Sequence, residues 1–474
     1  MRLLPLVLVL LIGLLVLQAC ERDDRYQGTD GVLIFSEDTL TFDTVFTTIG
    51  SVTRSIRIEN PLNEDVLIDQ IALDGTYGDW FRINVDGIPG DEIDDVLVPA
   101  DDYIYLFAEI HITGENIPDV NDPFVLQDAI RYRYNGIEQT SYLRAWGQNA
   151  YFHYGEIYAS GTVTWTSDKP HVIVRNENFI GVGVEDDATL VIDPGCQIYV
   201  HPGSGLFVDG RLEALGTAGD TIVFQSDRIE ETALDQSTTG GLWFGIGLLS
   251  GSEADLRHVT IRQATYGLMV RNFLNGDPAD FGNASKPQVT LEACRIAYTS
   301  AGALIAGNAD LTASNCLFHT TDGSIATLAY GGPYTFEHCT FADDVGSDEN
   351  AVVALTTFVS IAGRGAFAPI TDATFTNCIV HTSFGEGLLF NRQGGSITAS
   401  FDHCLLSTEL DTTTFTDCLI GEDPRFVDPS EGLFRPDSSS VVIDAGTSTT
   451  LGTDLLGAAR VLGAAPDLGA IEVR

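Results

Sequence analysis

Acidic side chains dominate the chemistry this sequence offers, and they are densest at Asp86, Asp91, Glu92, Asp94, Asp95, Asp101 and Asp102. Carboxylates this close together are the hard oxygen ligands that Ca²⁺ takes. Asp91, Asp94 and Asp95 are therefore the calcium candidates, and no other cofactor is suggested. Their spacing matches no EF-hand loop, and Gly87, Pro89 and Gly90 beside them fit a solvated loop. Cysteine is the second resource, at Cys20, Cys196, Cys294, Cys316, Cys339, Cys378, Cys404 and Cys418. His338-Cys339 and His403-Cys404 each place an imidazole beside a thiol, the donors zinc prefers. Neighbours in a strand point to opposite faces, however, and the two pairs stand too far apart for one tetrahedral centre, so these histidines are read as surface residues. Arg271, Arg364, Arg392 and Lys286 are the cations that a lyase would need as a base on an acidic sugar. No acidic cluster accompanies them, and Asp343 and Asp344, being adjacent, cannot form the facing pair of a glycosidase.

A repeat must position these residues. Arg257-His258-Val259-Thr260-Ile261 aligns with Glu292-Ala293-Cys294-Arg295-Ile296, and the pattern returns around Cys316, Cys339, Cys378, Cys404 and, truncated, Cys418. Cys294 to Cys316 spans 22 residues, Cys316 to Cys339 23 and Cys378 to Cys404 26. The central residue and the one two places on (Ile261, Ile296, Phe318, Phe341, Val380, Leu406, Ile420) share one inward face. Three places before the centre stand Leu256, Leu291, Ala313, Phe336, Phe375, Phe401 and Phe415, an odd offset that requires the chain to turn between the two ladders. Upstream, Thr189 to Gly195 recurs as Arg211 to Gly216, and Ile198-Tyr199-Val200 as Ile222-Val223-Phe224. Such a period of β-formers and glycine turns predicts a right-handed parallel β-helix of nine or ten coils over residues 151–440. Longer intervals put protruding insertions at about 271–287 and 357–372. Cys294, Cys316, Cys339, Cys378 and Cys404 then form a structural ladder of free thiols, because in-register Cβ vectors suit a disulfide badly.

Residues 31–150 alternate with period two instead. Thr39 to Val45, Thr53 to Asn60, Val66 to Ile71 and Tyr103 to Ile112 read as strands. Ala129 to Tyr134, then Asn135-Gly136, then Ile137 to Trp146, reads as a hairpin with a type I′ turn. About seven short strands predict an immunoglobulin-like β-sandwich, so the fold class is all-β throughout.

Four resemblances add to this reading. Arg2, the apolar run Leu3 to Leu17 and Leu17-Gln18-Ala19-Cys20 resemble a bacterial lipoprotein signal, which implies a signal peptide over 1–19, lipidation of Cys20 and a linker over 20–30. Glu21, Asp23 and Asp24 behind it are similar to the surface-export signals of Bacteroidetes-type lipoproteins. The sandwich resembles Hydin and abnormal-spindle immunoglobulin-type domains through Leu40 to Val45, Arg57 to Asn60, Trp80 to Ile83, Val98-Pro99-Ala100 and Leu143 to Gly147. Residues 441–474, with Val442-Ile443-Asp444-Ala445-Gly446, Asp454 to Gly457 and Pro466 to Glu472, resemble the terminal segment of bacterial β-helix surface proteins. There the stretch is expected to cap the open end, with Arg460 pairing Asp444, Asp454, Asp467 or Glu472.

The formal charge of −43, from 67 acidic and 24 basic residues, excludes nucleic acid as a partner. The expectation is a non-catalytic lipoprotein of the outer membrane or cell surface, tethered to the membrane by lipid, whose β-helix binds a glycan or an envelope protein. The alternative is a polysaccharide lyase or glycoside hydrolase of the pectate-lyase-like solenoid class.

Overall fold

The computed structural model describes residues 25, 26, 28, 33–47, 50–113, 117, 120–228, 240–271, 285–343, 350–361, 364–410 and 413–473. Cys20 and the lipoprotein signal lie outside them, as does most of the first insertion. The chain divides into two compact units, Met1–Asn149 and Ala150–Arg474.

The first unit is a two-sheet sandwich. One sheet orders Ile34–Phe35, Arg54–Asn60, Asp102–Ile110, Phe81–Val85 and Ile88–Pro89; the other orders Thr39–Phe46, Ile137–Gln148, Phe124–Tyr134, Val66–Leu73 and Glu92–Val98. Alternation sends Ile56, Ile58, Leu106, Ile68, Tyr132 and Leu143 into a common core. The hairpin forms at Asn135-Gly136, both with positive φ, and Tyr134 pairs with Ile137. The acidic stretch becomes the edge strand Glu92–Val98. Glu92 and Asp94 both face Gln70, while Asp95 takes a left-handed φ of 56°. Asp91, Asp94 and Asp95 are all exposed. The calcium candidates are therefore not gathered into a ligand set. Strand alternation disperses them, and charge along an unpaired edge guards it against further pairing.

The second unit winds through three parallel sheets. The platform sheet has nine strands, from Ile157–Tyr158 to Leu388–Asn391; the polar sheet has ten, from Gly161–Trp165 to Phe415–Thr416; the thiol sheet has eleven, from Tyr151–Tyr154 to Leu419–Ile420. Both predicted ladders stack in register. Ile261, Ile296, Phe318, Phe341 and Val380 are paired neighbours in the thiol sheet, and Leu256, Leu291, Ala313, Phe336, Phe375 and Phe401 in the polar sheet. Phe336, Phe375 and Phe401 stack ring on ring at 4.8 and 4.5 Å. Upstream, however, Ile198 pairs with Phe224, not Ile222. The stretch from Ala214 to Phe224 is four residues longer than that from Ile192 to Ile198, two more than the sequence alignment allowed, and a two-residue slip leaves every side chain on its own face, so periodicity cannot detect it.

The turn between the ladders is a single residue. His258, Ala293, Asn315, His338, Asn377, His403 and Asp417, each just before a central position, all have φ between 45° and 55°. Asn and Asp tolerate that conformation better than other side chains. The cysteine that follows has a partner at the same corner. Cys294, Cys339, Cys378, Cys404 and Cys418 donate S–H to the carbonyls of Leu256, Ala313, Phe336, Phe375 and Phe401 on the preceding coil, at 3.4–3.6 Å. No cysteine among the described residues is in a disulfide.

Residues 441–473 do not sit over the end of the solenoid. They run as a strap along the outer face of the thiol sheet, with Val442 and Leu468 on Ile379 and Leu405, and Leu455, Ala470 and Ile471 on Leu317 and Ala342. The downstream strands of that sheet are apolar on their outer face too, at Leu317, Ala342, Ile379 and Leu405, and covering them removes that surface from water. The same strap buries His338, at 0% exposure, so this histidine is not a surface residue. His403, one coil beyond Asn377, remains half-buried.

Candidate functional site

The outer face of the platform sheet is the most distinctive surface of the solenoid. Its strands begin Gly181-Val182-Gly183-Val184, Gly205-Leu206-Phe207-Val208 and Gly245-Ile246-Gly247-Leu248. The even positions fill the core, and the outward ones are glycine except for Phe207. Gly183, Phe207 and Gly247 lie side by side in register. The ring of Phe207 lies over Gly205 and Gly247, where a Cβ would stand 3.1 Å from its Cζ and its Cδ1, and that of Phe179 lies over Gly183. Phe179 and Phe244, from the turns entering these strands, flank Phe207 at 5.9 and 5.2 Å, and Tyr266 continues the row 5.6 Å from Phe244. A Cβ on Gly245 would come 1.7 Å from the carbonyl oxygen of Tyr266 at a φ of 123°, so only glycine lets the coils close there.

Phe179, Phe207 and Phe244, with exposed Ile157 and Ile180, line a depression of about 450 Å³, within the roughly 300–1,000 Å³ of ligand sites. Two carboxylates close one side of it. Glu185 and Asp209 follow equivalent strand ends, their N–H groups donating to Tyr158 and Val184 of the preceding coil at 3.0 and 2.7 Å. One coil rise of about 4.8 Å separates their backbones. Burial, then the charges of Asp186 and Glu185, raise the pKa of Asp209. Face and rim together offer apolar rings for the C–H faces of a sugar and acceptors for its hydroxyls.

The sequence-predicted cations do not converge on this face. Arg271 aligns with Gly307, and the register runs through Ala329 and Thr356 to Asn391, beside Arg392. That is four coils, about 19 Å. The guanidinium of Arg392 lies over Phe390 at 4.9 Å, and Lys286 Nζ donates to the carbonyl of Gly332. The side chains of Arg271 and Arg364 lie outside the described residues. Sequence reasoning missed the aromatic row because its rings come from turns and strands at unequal spacings; the alternating glycines were the available signal.

The strap residues serve a different purpose from the expected ion pairs. Asp454 Oδ1 accepts the N–H groups of Leu456 and Ala458, and its Oδ2 that of Glu472. Asp467 accepts those of Asp444 and Val473, Glu472 those of Leu462 and Asp467, and Asp444 those of Ala464 and Ala465. Arg460 donates to the carbonyls of Gly469 and Ala470 at 3.0 and 2.9 Å and to Asn315 Oδ1. Among the described residues its carboxylate contact is with Glu472, at 3.6 Å. A segment without helix or strand has unpaired donors and acceptors; here carboxylates satisfy the first and a guanidinium the second.

Among the described residues the one His, Cys, Asp and Glu group whose ligand atoms lie within 4.8 Å of one another is Asp402, His403 and Asp417, at the bends of the last coils.

Residues 244–408 match a family model described as a right handed beta helix region. No curated protein matches the chain. Among solved structures, a family 123 glycoside hydrolase from Clostridium perfringens, studied for glycolipid glycan hydrolysis, is 8% identical over 25% of this chain, with a TM-score of 0.18. The chain spans only 26% of that protein's length. The catalytic domain of a GH87 alpha-1,3-glucanase in complex with tetrasaccharides is 9% identical, covering 82% of this chain and 88% of that one at a TM-score of 0.28. The catalytic unit of a thermostable GH87 alpha-1,3-glucanase from Streptomyces thermodiastaticus strain HF3-3 is 10% identical, covering 78% and 88% at 0.20. Overlaps this slight carry nothing about the chemistry of this chain.

Proposed function

We propose that this protein is an exported, lipid-anchored surface protein whose β-helix binds a glycan without cleaving it, with lipid on Cys20 and the sandwich, of the Hydin type, as spacer. The observation that supports the binding reading best is the row Phe179, Phe207, Phe244 and Tyr266 along three glycine-rich strands that carry no charged residue. Stacking on such rings retains a sugar without requiring a reacting group. Two tests bear on it. Phe207→Ala, which removes the central ring from the surface, should lower affinity for a bound polysaccharide at least tenfold in a glycan-array or calorimetric measurement; unchanged binding would sink the site. Labelling with radioactive palmitate should mark the protein and fail on Cys20→Ala.

The stacked pair Glu185 and Asp209 favours one second reading, glycoside hydrolysis, in which the carboxyl with the raised pKa serves as acid and its neighbour as base or nucleophile. Release of new reducing ends that disappears in Asp209→Asn would replace the binding reading with this one.

A further inference from the structure

The hollow over the platform carries charge of one sign only. Among the described residues that line it, Glu185 and Asp209 are the polar side chains, and the others are apolar or glycine. Glu185 stands just past the end of strand Gly181–Val184, and Asp209 just past that of Gly205–Val208, one coil on. Asp186 and Asp187 follow Glu185, and all three are exposed. Several carboxylates on other sheet surfaces are met by guanidinium groups: Glu59 by Arg57, Asp74 by Arg131, Glu213, Glu253 and Asp255 by Arg211, Glu292 by Arg257. The carboxylates of Glu185 and Asp209 have neither a cation nor a hydrogen-bond donor among the described residues.

The rings add a second attraction for positive charge. Phe179 and Phe207 are inclined at 80°, and Phe207 and Phe244 at 46°, so they wall the hollow as well as floor it. Ring faces attract a cation through their quadrupole out to about 6 Å from the centroid. Two carboxylates whose backbones stand about 4.8 Å apart can share one ammonium, whose three N–H donors point in different directions. Asp209 lies two residues beyond Phe207, about 6.6 Å along an extended chain. A sugar stacked on the Phe207 ring therefore directs a substituent at the carboxylates. A uronate or a sulfate ester would meet two unopposed negative groups there and no donor side chain. A free amine meets aromatic faces and charge-assisted acceptors.

We propose that the platform selects glycans built from amino sugars with unacylated nitrogen, holding one ammonium between Glu185 and Asp209 while the C–H face of its sugar lies on Phe207. This rests on the glycan-binding reading above and names its substrate class. The nitrogen is what the site reads: acetylation removes the charge and adds bulk beside the carboxylates, and a hydroxyl in its place is a weaker donor. A lysine side chain carries the same ammonium but presents a narrow stem, not a ring face, to Phe207.

Calorimetry on the full chain tests this with three matched β-1,4 pentasaccharides that differ at C2 alone, those of glucosamine, N-acetylglucosamine and glucose. The glucosamine oligomer should bind at least tenfold tighter than the other two, about the worth of one charge-assisted hydrogen bond. A chain of net charge −43 attracts any polycation. The double variant Glu185→Gln, Asp209→Asn removes two of its 67 acids, so it leaves that general attraction in place and should bring the glucosamine oligomer down to the level of the acetylated one. An advantage that survives the double variant would overturn the amino-sugar site, as would equal affinity for all three; if Phe207→Ala still weakens binding, the glycan reading stands in either case. A lysine pentapeptide that matches the glucosamine oligomer in affinity and in sensitivity to the double variant would overturn the sugar as occupant in favour of a protein. Failure of all three oligosaccharides to bind would overturn both the amino-sugar site and the glycan reading.

Discussion

Nε2 of His338 lies 2.9 Å from Nδ2 of Asn377, the residue in the same left-handed corner one coil further on. Asn377 Oδ1 accepts the N–H of Thr447 at 2.7 Å and its Nδ2 donates to the Thr447 carbonyl, so the amide's orientation is fixed and His338 must present a bare Nε2. Burial, and secondarily the charge of Arg460, push this imidazole's pKa down to about 3.

The folded state therefore refuses a proton that the unfolded chain accepts below about 6.5. Stability contributed by neutral His338 is complete above that pH and is lost as pH falls toward 3, at about 1.4 kcal/mol per unit. Denaturant midpoints should fall between pH 6.5 and 5 by an amount equivalent to about 2 kcal/mol from this residue. His338→Asn, which places in this corner the residue type found at 315 and 377, should remove that part of the slope. An unchanged slope in the variant would show that His338 titrates normally. His319, also buried and held down to about 3, should keep its own share.

Arg460→Ala should cost about 3–5 kcal/mol, because it leaves the carbonyls of Gly469 and Ala470 and the carboxylate of Glu472 buried without their cation. Limited proteolysis should then cut within 441–473 before it cuts the coils. Arg460→Lys should not rescue, since one ammonium cannot reproduce the forked contacts to two carbonyls and Asn315.

The thiols make a third case. Cys196, Cys294, Cys316, Cys339, Cys378 and Cys404 are buried and Cys418 is half-buried, and burial pushes the Cys294 and Cys378 thiols well up. A thiol-specific reagent should label Cys418 in the native protein and the six buried residues only after unfolding. Fast native labelling of several sites would contradict the ladder. Cys339→Val, the residue at 259 in the equivalent place, should cost less than about 1.5 kcal/mol.

Gly245→Ala should be far more damaging than its size suggests. The added carbon meets the Tyr266 carbonyl at 1.7 Å in a backbone region closed to L side chains, so a loss of about 1–3 kcal/mol is the minimum expected in a thermal melt. A neutral effect would mean that these coils can separate.

How far the sequence revealed this molecule depended on period. The two ladders ending at Ile420 and Phe415 were readable because strict register repeats a residue type at one face. The slip at Phe224 was not, because two residues preserve the face. The strap's place was hidden for a different reason: its carboxylates bond to backbone N–H groups, which leave no pattern in side-chain spacing. A clue did exist in Cys316-Leu317-Phe318, Cys378-Ile379-Val380 and Cys404-Leu405-Leu406, runs without a polar alternate, as in strands covered on both sides. The platform draws on separate turns, so Phe179, Phe207 and Phe244 become neighbours only through winding.

The strap also makes the wall depend on residues far downstream. A chain interrupted before Val442 can wind its coils, but Leu317, Ala342, Ile379 and Leu405 then form an uncovered apolar stripe on a parallel sheet. Such a stripe invites association with other chains. An incomplete molecule thus carries its own mark, legible to quality-control proteases as exposed hydrophobic surface, and a finished one erases it by closing over itself.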